Sequence, residues 1–589
     1  MPRFSLVWLR FSLGVPRFQA AAPRISRAWA RCPSAGSRDT LALVTRSRSS
    51  GFHSLLVGSG ILLSRISGLV REQVFAHFLG TSPAAGAFKA ALRIPNLLQN
   101  LLGEGVLSAS FIPVYARLQA EGKAELAGRV AGVVGAVLAL GVGLLSALGV
   151  VATPWLVDLV APGFGGDSRA LTIDIVRILF PGTGLLVLSA WCLGILNSHR
   201  KFFLSYVAPV VWNAAMIATL LLFGGRRSGE ELAVLLAWGM VAGALLQLLL
   251  QLPFVFRHDR EIRFALSTGL AEVRTVFKNL GPVVAGRGVV QVSAYVDSML
   301  ASFLGTAAVA GLSFAQTLYL LPISLFGMSI AAAELPSMSG IAGSAGAEDE
   351  IHRTLREKLE TGLGRVAFLV VPTVVAFVLL GDLLVAALFQ SGRFRADDSR
   401  FVAYVLCGST IGLLAACLGR LYASTFYALG DSRTPFRFAA VRVVLGAGLG
   451  ALFAFPGRPI LVAGLSGLGL RIPEMAGGTL ALGAVGLTAG SGIAAWTEFL
   501  LLRRRLGAQI GRVALSRSLR ARLWGAAMIA GAVAFFLRPA WARLAPEGRW
   551  GLIVLAGLSA GTFGAIYLAA TFLFGVPQWS GLARRLRRA

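Results

Sequence analysis

The chain has 589 residues, 56% of them hydrophobic and only 14% charged, with a formal net charge of +28 and a mean hydropathy of +0.74. Such apolarity excludes an ordinary soluble globular protein, and 70 glycines suit membrane helices whose backbones approach closely. The surplus arginines gather in short segments between apolar runs, so they read as membrane topology, and no nucleic-acid partner is expected.

Residues 1–52 form an Arg-rich N-terminal extension, with Asp39 the single acid in the first fifty residues and no sustained apolar run. Two readings fit this composition: an organelle transit peptide, or an upstream start codon wrongly assigned in a GC-rich genome. The second is preferred.

Apolar stretches long enough to span a bilayer, about 20 residues each, follow near 54–80, 84–117, 128–153, 170–197, 203–224, 231–256, 280–304, 307–333, 361–381, 400–428, 434–455, 479–502, 522–540 and 550–575. They predict an all-α polytopic membrane protein of about 14 transmembrane helices. Alternate connections carry the basic residues, among them Arg257, Arg260 and Arg263, then Arg503, Arg504 and Arg505. The connections between them are shorter or mixed in sign, which predicts both termini in the cytoplasm.

The segment "AHFLGTSPAAGAF" (76–88) matches "ASFLGTAAVAGLSF" (301–314) at an offset of 225 residues, and "CLG" at 192–194 recurs at 417–419 with the same offset. Six helices separate the copies, so both halves share one orientation. The chain therefore divides into an N-lobe of helices 1–6 (53–256), a basic cytoplasmic linker (257–279), a C-lobe of helices 7–12 (280–517), and two C-terminal helices with a basic tail (518–589). Two pseudo-symmetric six-helix lobes facing one cavity suggest a transporter that rocks.

Cys32, Cys192, Cys407 and Cys417 show no CxxC spacing, the five histidines no ligand cluster, and no phosphate loop is present. No metal, cofactor or covalent catalysis is expected. Energy would then come from Na+ or H+ coupling or from the membrane potential.

Charges inside apolar runs are costly, about 2.5–3.5 kcal/mol each at mid-bilayer on insertion scales, and so mark function. In "SRISGLVREQVFAHFLG" (64–80) they are Arg65, Arg71 and Glu72; the next run adds Lys89 and Arg93, four apart on one helix face, then Glu104 between two glycines. Arg71 with Glu72 reads either as an interfacial anchor or as part of a cavity, and Glu104 as the neutraliser of a neighbouring arginine. Arginines facing a watered cavity with few acids suit a phosphate or diphosphate. In the second copy Asp297 shares a helix with Arg287; it either pairs with that arginine or binds a coupling cation.

The runs "SRISGLVREQVFAHFLG", "AFKAALRIPNLLQNLLGEGVLSASFIPVYARL" (87–118), "GILNSHRKFFLSYVAPVVWN" (194–213) and "FYALGDSRTPF" (426–436) resemble the MurJ/MviN family of lipid II flippases, within the multidrug/oligosaccharidyl-lipid/polysaccharide exporter superfamily. The resemblance implies fourteen helices, a cationic central cavity and alternating access in the bacterial inner membrane. It implies as substrate the undecaprenyl-diphosphate-linked disaccharide-peptide lipid of peptidoglycan synthesis. Carried over by position, it places Ser64, Arg65, Arg71 and Glu104 at that cavity, keeps the family's acid as Glu72, and maps a cation site of some relatives loosely onto Asp297 and Asp431, although Asp431 in "GDSRTP" reads more simply as a helix-start turn.

The chain departs from the family pattern at Gly86, where many relatives have Asp, at Gln99 and Asn100 in place of an Arg pair, and at Thr317 and Leu320 in place of Arg and Glu. Arg93, Arg287 and Arg420 are the candidates to compensate. A second reading is therefore an exporter of another polyprenyl-diphosphate glycan, and a third a non-transporting scaffold for the cell-wall synthesis machinery. Rescue of a flippase-depleted bacterium separates the first reading from the scaffold. Inner-leaflet build-up of lipid II after removal of the chain separates it from the other exporter.

Overall fold

Backbone N–H and C=O groups find no partner in hydrocarbon, so a chain of long apolar runs must bond them within helices. The computed structural model describes residues 59–60, 62–199, 201–266, 269–344, 347–474 and 477–579. The Arg-rich extension and the tail arginines lie outside them. Among the described residues there is no β-strand.

Helix α1 spans 62–79. It is followed by α2 (Pro83–Leu102), α3 (Glu104–Ser110), α4 (Ile112–Ala120), α5 (Ala124–Val160), α6 (Gly166–Ser198), α7 (Phe202–Phe223) and α8 (Gly229–His258). Beyond the basic linker come α9 (Ala271–Ser302), α10 (Thr306–Pro322), a π-helical turn (Ile323–Met328), α11 (Ser329–Ala342), α12 (Glu348–Leu379) and α13 (Gly381–Phe389). The remaining helices are α14 (Ala396–Ala428), α15 (Arg433–Ala454), α16 (Arg458–Gly467), α17 (Gly483–Ile510), α18 (Arg517–Leu544) and α19 (Arg549–Leu573).

Twelve helical segments among the described residues are long and apolar enough to cross a membrane, and they correspond one to one with twelve of the fourteen expected spans. The other two, α1 and α9, are helical but fall outside that set. Both carry charge: Arg65, Arg71 and Glu72 on α1, and Glu272, Arg274, Lys278, Arg287 and Asp297 on α9. The second expected span is also discontinuous. Gly103 adopts an extended conformation between α2 and α3, and the chain re-enters helix at Ile112 with Pro113 in the first turn, where a missing N–H costs nothing.

Helices α2, α5, α6, α7 and α8 pack mainly on one another, as do α10, α12, α14, α15 and α17, while α18 and α19 pair and lean on α12 and α13. In the second group glycines let backbones touch. A Cβ on Gly412 would lie 2.6 Å from Gly492, and one on Gly490 would lie 2.4 Å from Gly450, so α14 and α15 both close onto α17. In the first group polar glue joins α6 to α8, where Ser189 donates to Gln251 at 2.5 Å and accepts from Gln247 at 2.7 Å.

The 225-residue offset reappears in the backbone. Gly80 (φ +55°) opens the turn before α2 and Gly305 (φ +97°) directly precedes α10, both at positive φ values that side chains with a Cβ rarely adopt. The paired glycines Gly86 and Gly311 are both close-contact positions: a Cβ on Gly86 would lie 2.3 Å from the Thr306 carbonyl oxygen, and one on Gly311 2.1 Å from the Phe401 ring. Cys192 and Cys417 are both buried and free.

The two groups meet at one end of the molecule. Phe75 and Phe88 stack at 5.5 Å, Phe75 reaches Phe314 at 6.1 Å, and Phe314 packs on Phe389 and Phe394, each at 5.2 Å. All five rings are buried. Beside them the Arg393 N–H donates to the His77 carbonyl at 2.8 Å, Thr81 donates to Asp398, and the Gly163 N–H donates to Ser302 at 3.0 Å.

Candidate functional site

Arg65 sits in the first part of α1, away from the aromatic junction, and is exposed. Its Nη1 crosses from the first helix group to the second, donating to Ser324 Oγ at 2.9 Å in the π-helical turn. Such turns interrupt the regular ladder and often coincide with functional positions. Among the described residues no carboxylate pairs with Arg65. Ser64 is half-buried, and its carbonyl accepts from Ser67 at 2.9 Å.

One and a half turns further on, Arg71 has three partners. It donates to Asn213 of α7 at 3.1 Å, pairs with Glu72 at 2.8 Å and lies 5.1 Å over the Trp212 ring. Asn213 in turn donates to Ser67 at 2.9 Å.

Glu72 is buried (8% exposed) and also pairs with Lys89 of α2 at 2.5 Å. Lys89, 6% exposed, stands 4.3 Å over Phe75 and 5.4 Å from Phe314. One carboxylate thus serves two cations, and aromatic faces supply the remaining counter-field. The site keeps a positive surplus.

Arg93, one turn beyond Lys89, donates to the Gln316 side-chain carbonyl of α10 at 2.9 Å, and its own carbonyl accepts from Tyr295 of α9 at 2.5 Å. It too bridges the groups. The Glu104 and Arg287 side chains lie outside the described residues, although α3 and α9 contain both positions.

Gly86 has no room for a larger side chain because the Thr306 backbone meets it. Thr317 bonds back to the Ser313 carbonyl at 3.1 Å, and Leu320 is exposed.

In the second group Asp297 accepts from Ser491 of α17 at 3.1 Å. Both line a cavity of about 30 Å³ together with Arg442 of α15, whose Nη1 pairs with Glu498 at 3.1 Å. Asp431 lies elsewhere. It accepts from the Arg433 and Thr434 N–H groups, each at 3.0 Å, as a helix-start residue does. The Thr434 hydroxyl and then its N–H hold the Asp431 carboxyl below the usual carboxylate range.

A mostly apolar hollow of about 910 Å³ lies between α12, α14, α16, α17 and α18, lined by residues that include Phe377, Leu414, Trp496, Arg400, Arg471 and Arg538.

Sequence reasoning missed Asn213, Trp212, Ser324, Gln316, Arg442 and Glu498 as partners. Asn213, Arg442 and Glu498 carried a usable signal, each an isolated polar residue in an apolar run. Ser324 and Gln316 carried none, because a hydroxyl or an amide in a membrane helix commonly serves packing.

Residues 75–546 match the family model described as Lipid II flippase MurJ. The chain is 32% identical to the lipid II flippase MurJ of Burkholderia cenocepacia over 66% of its own length and 75% of that protein. It is 30% identical to the probable lipid II flippase MurJ of Haemophilus influenzae over 68% of its length and 81% of that protein. Among solved structures it is similar to a lipid II flippase MurJ in an inward closed conformation, with a TM-score of 0.67 at 19% identity, covering 88% of this chain and 98% of that one. The chain belongs to the lipid II flippase MurJ family.

Proposed function

We propose that this chain is a transporter that flips lipid II across the bacterial inner membrane, in which it is a multi-pass protein, supplying peptidoglycan synthesis. Family membership carries the assignment, and one observation carries its mechanism. Arg65 crosses between the two helix groups with only a hydroxyl for a partner, so its fork of donors is available to a diphosphate once the Ser324 bond is exchanged. Arg71 and Lys89, sharing one acid, maintain the positive field behind it.

The basic connections set the cytoplasmic side, and both termini lie on it. The aromatic junction then closes the outward end while the Arg65 end faces the cytoplasm, where the substrate is made. The diphosphate headgroup binds between the groups, and the tail stays in apolar surroundings, for which the hollow beside Trp496 offers room. Opening the junction while closing the Arg65 end delivers the headgroup outward.

The test is depletion of the resident flippase in a bacterium carrying this chain. Wild type is expected to restore growth and cell shape, and Arg65→Ala to fail at equal membrane abundance. No rescue by a correctly inserted wild-type chain would reject the assignment.

A further inference from the structure

The Asp297 cavity was the natural place for a coupling metal ion, and its chemistry does not fit one. A carboxylate within a membrane helix needs a counter-charge. A hard cation such as Na+ takes it from a shell of oxygen donors. Here Asp297 and Ser491 supply oxygens, but the third polar lining residue is Arg442, and a guanidinium is charged at every working pH. Glu498 fixes Arg442 at 3.1 Å, so the charge is held in place. Arg93 of α2 is a second cation within coulombic reach of Asp297. The remaining lining groups, Val296, Val443, Gly446 and Ala447, offer no side-chain donors, and about 30 Å³ admits little more than a water molecule.

We propose that Arg442 is a resident cation standing in for a coupling ion beside Asp297, so that the native chain binds no Na+ there and its cycle runs without one. The inference rests on the transporter reading and specifies its energetics. Asp297 on α9, Arg442 on α15 and the pair Ser491 and Glu498 on α17 then form one tethered charge set. A mobile ion is replaced by a side chain that cannot leave.

The experiment follows thermal unfolding of the purified full chain in detergent, in NaCl, KCl or choline chloride at equal ionic strength. The native midpoints should coincide in all three salts. Arg442→Gln should gain a rise in midpoint selective for Na+, and Arg442→Gln with Asp297→Asn should lose it. A Na+-selective rise in the native chain that Asp297→Asn abolishes would overturn the proposal. So would a folded Arg442→Gln protein with no Na+ response. Should Arg442→Gln fail to fold, Arg442→Gln with Glu498→Gln removes the stranded carboxylate and is read the same way. Lipid II binding by the same samples tests the flippase reading separately, because the salt comparison does not depend on the lipid.

Discussion

The interface between the two helix groups is built differently at its two ends. At one end five buried aromatic rings interlock, with Lys89 against two of them, and backbone bonds such as Arg393 to His77 bind the loops together. Away from that end exposed Arg65 touches Ser324 through one bond, Arg93 bonds Gln316 and Tyr295, and the start of α9 packs Val273 and Val276 against α3, α4 and α5. Close-packed apolar contact yields a large and cooperative energy, whereas a single hydrogen bond from a charged donor yields about 1.5–3 kcal/mol, and less where solvent reaches it. The first arrangement suits a gate with two discrete states. The second suits a ligand site, whose bonds must be exchanged without unfolding anything.

The sharpest way to break this contrast is Phe314→Ala, which empties the centre of the aromatic junction and should cost about 4 kcal/mol of stability in that packing. Cysteine labelling from the outward side should rise in the variant; unchanged labelling would mean the rings do not form the gate. Glu72→Gln comes next. It leaves Arg71 and Lys89 adjacent with no carboxylate between them, a loss of about 3 kcal/mol readable as a lower unfolding midpoint in detergent. Gly86→Asp drives a Cβ into the Thr306 backbone, so it should destabilise by about 2 kcal/mol and part α2 from α10. Arg65→Ala should change stability by less than about 0.5 kcal/mol while abolishing rescue, which separates site from scaffold. Arg353→Ala, which removes an exposed pair with Glu357 on α12, should cost no more than about 0.5 kcal/mol and less in high salt.

Much of this contrast was legible beforehand. Arg65, Arg71, Lys89 and Arg93 announced themselves as charges inside apolar runs, and the helical period placed Lys89 and Arg93 on one face. Glu72 was visible as an acid but not as the shared partner of Arg71 and Lys89. Its contact with Lys89 depends on the turn at Gly80, which folds α2 back beside α1. The pairing of Arg442 with Glu498 was beyond reach for a related reason, since periodicity reports the faces of one helix and says nothing of which face of α15 meets α17. The apolar runs anticipated the twelve segments that, among the described residues, are long and apolar enough to cross a membrane, while α1 and α9 fall outside that set.

The account rests on Arg65 as a ligand for the diphosphate, and the most direct measurement is native mass spectrometry of the purified chain titrated with lipid II. Wild type should bind, Arg65→Ala should bind at least about tenfold more weakly, as loss of a charge-assisted bond worth roughly 1.5–3 kcal/mol requires, and Arg353→Ala should match wild type. Equal binding by Arg65→Ala and wild type would contradict the account.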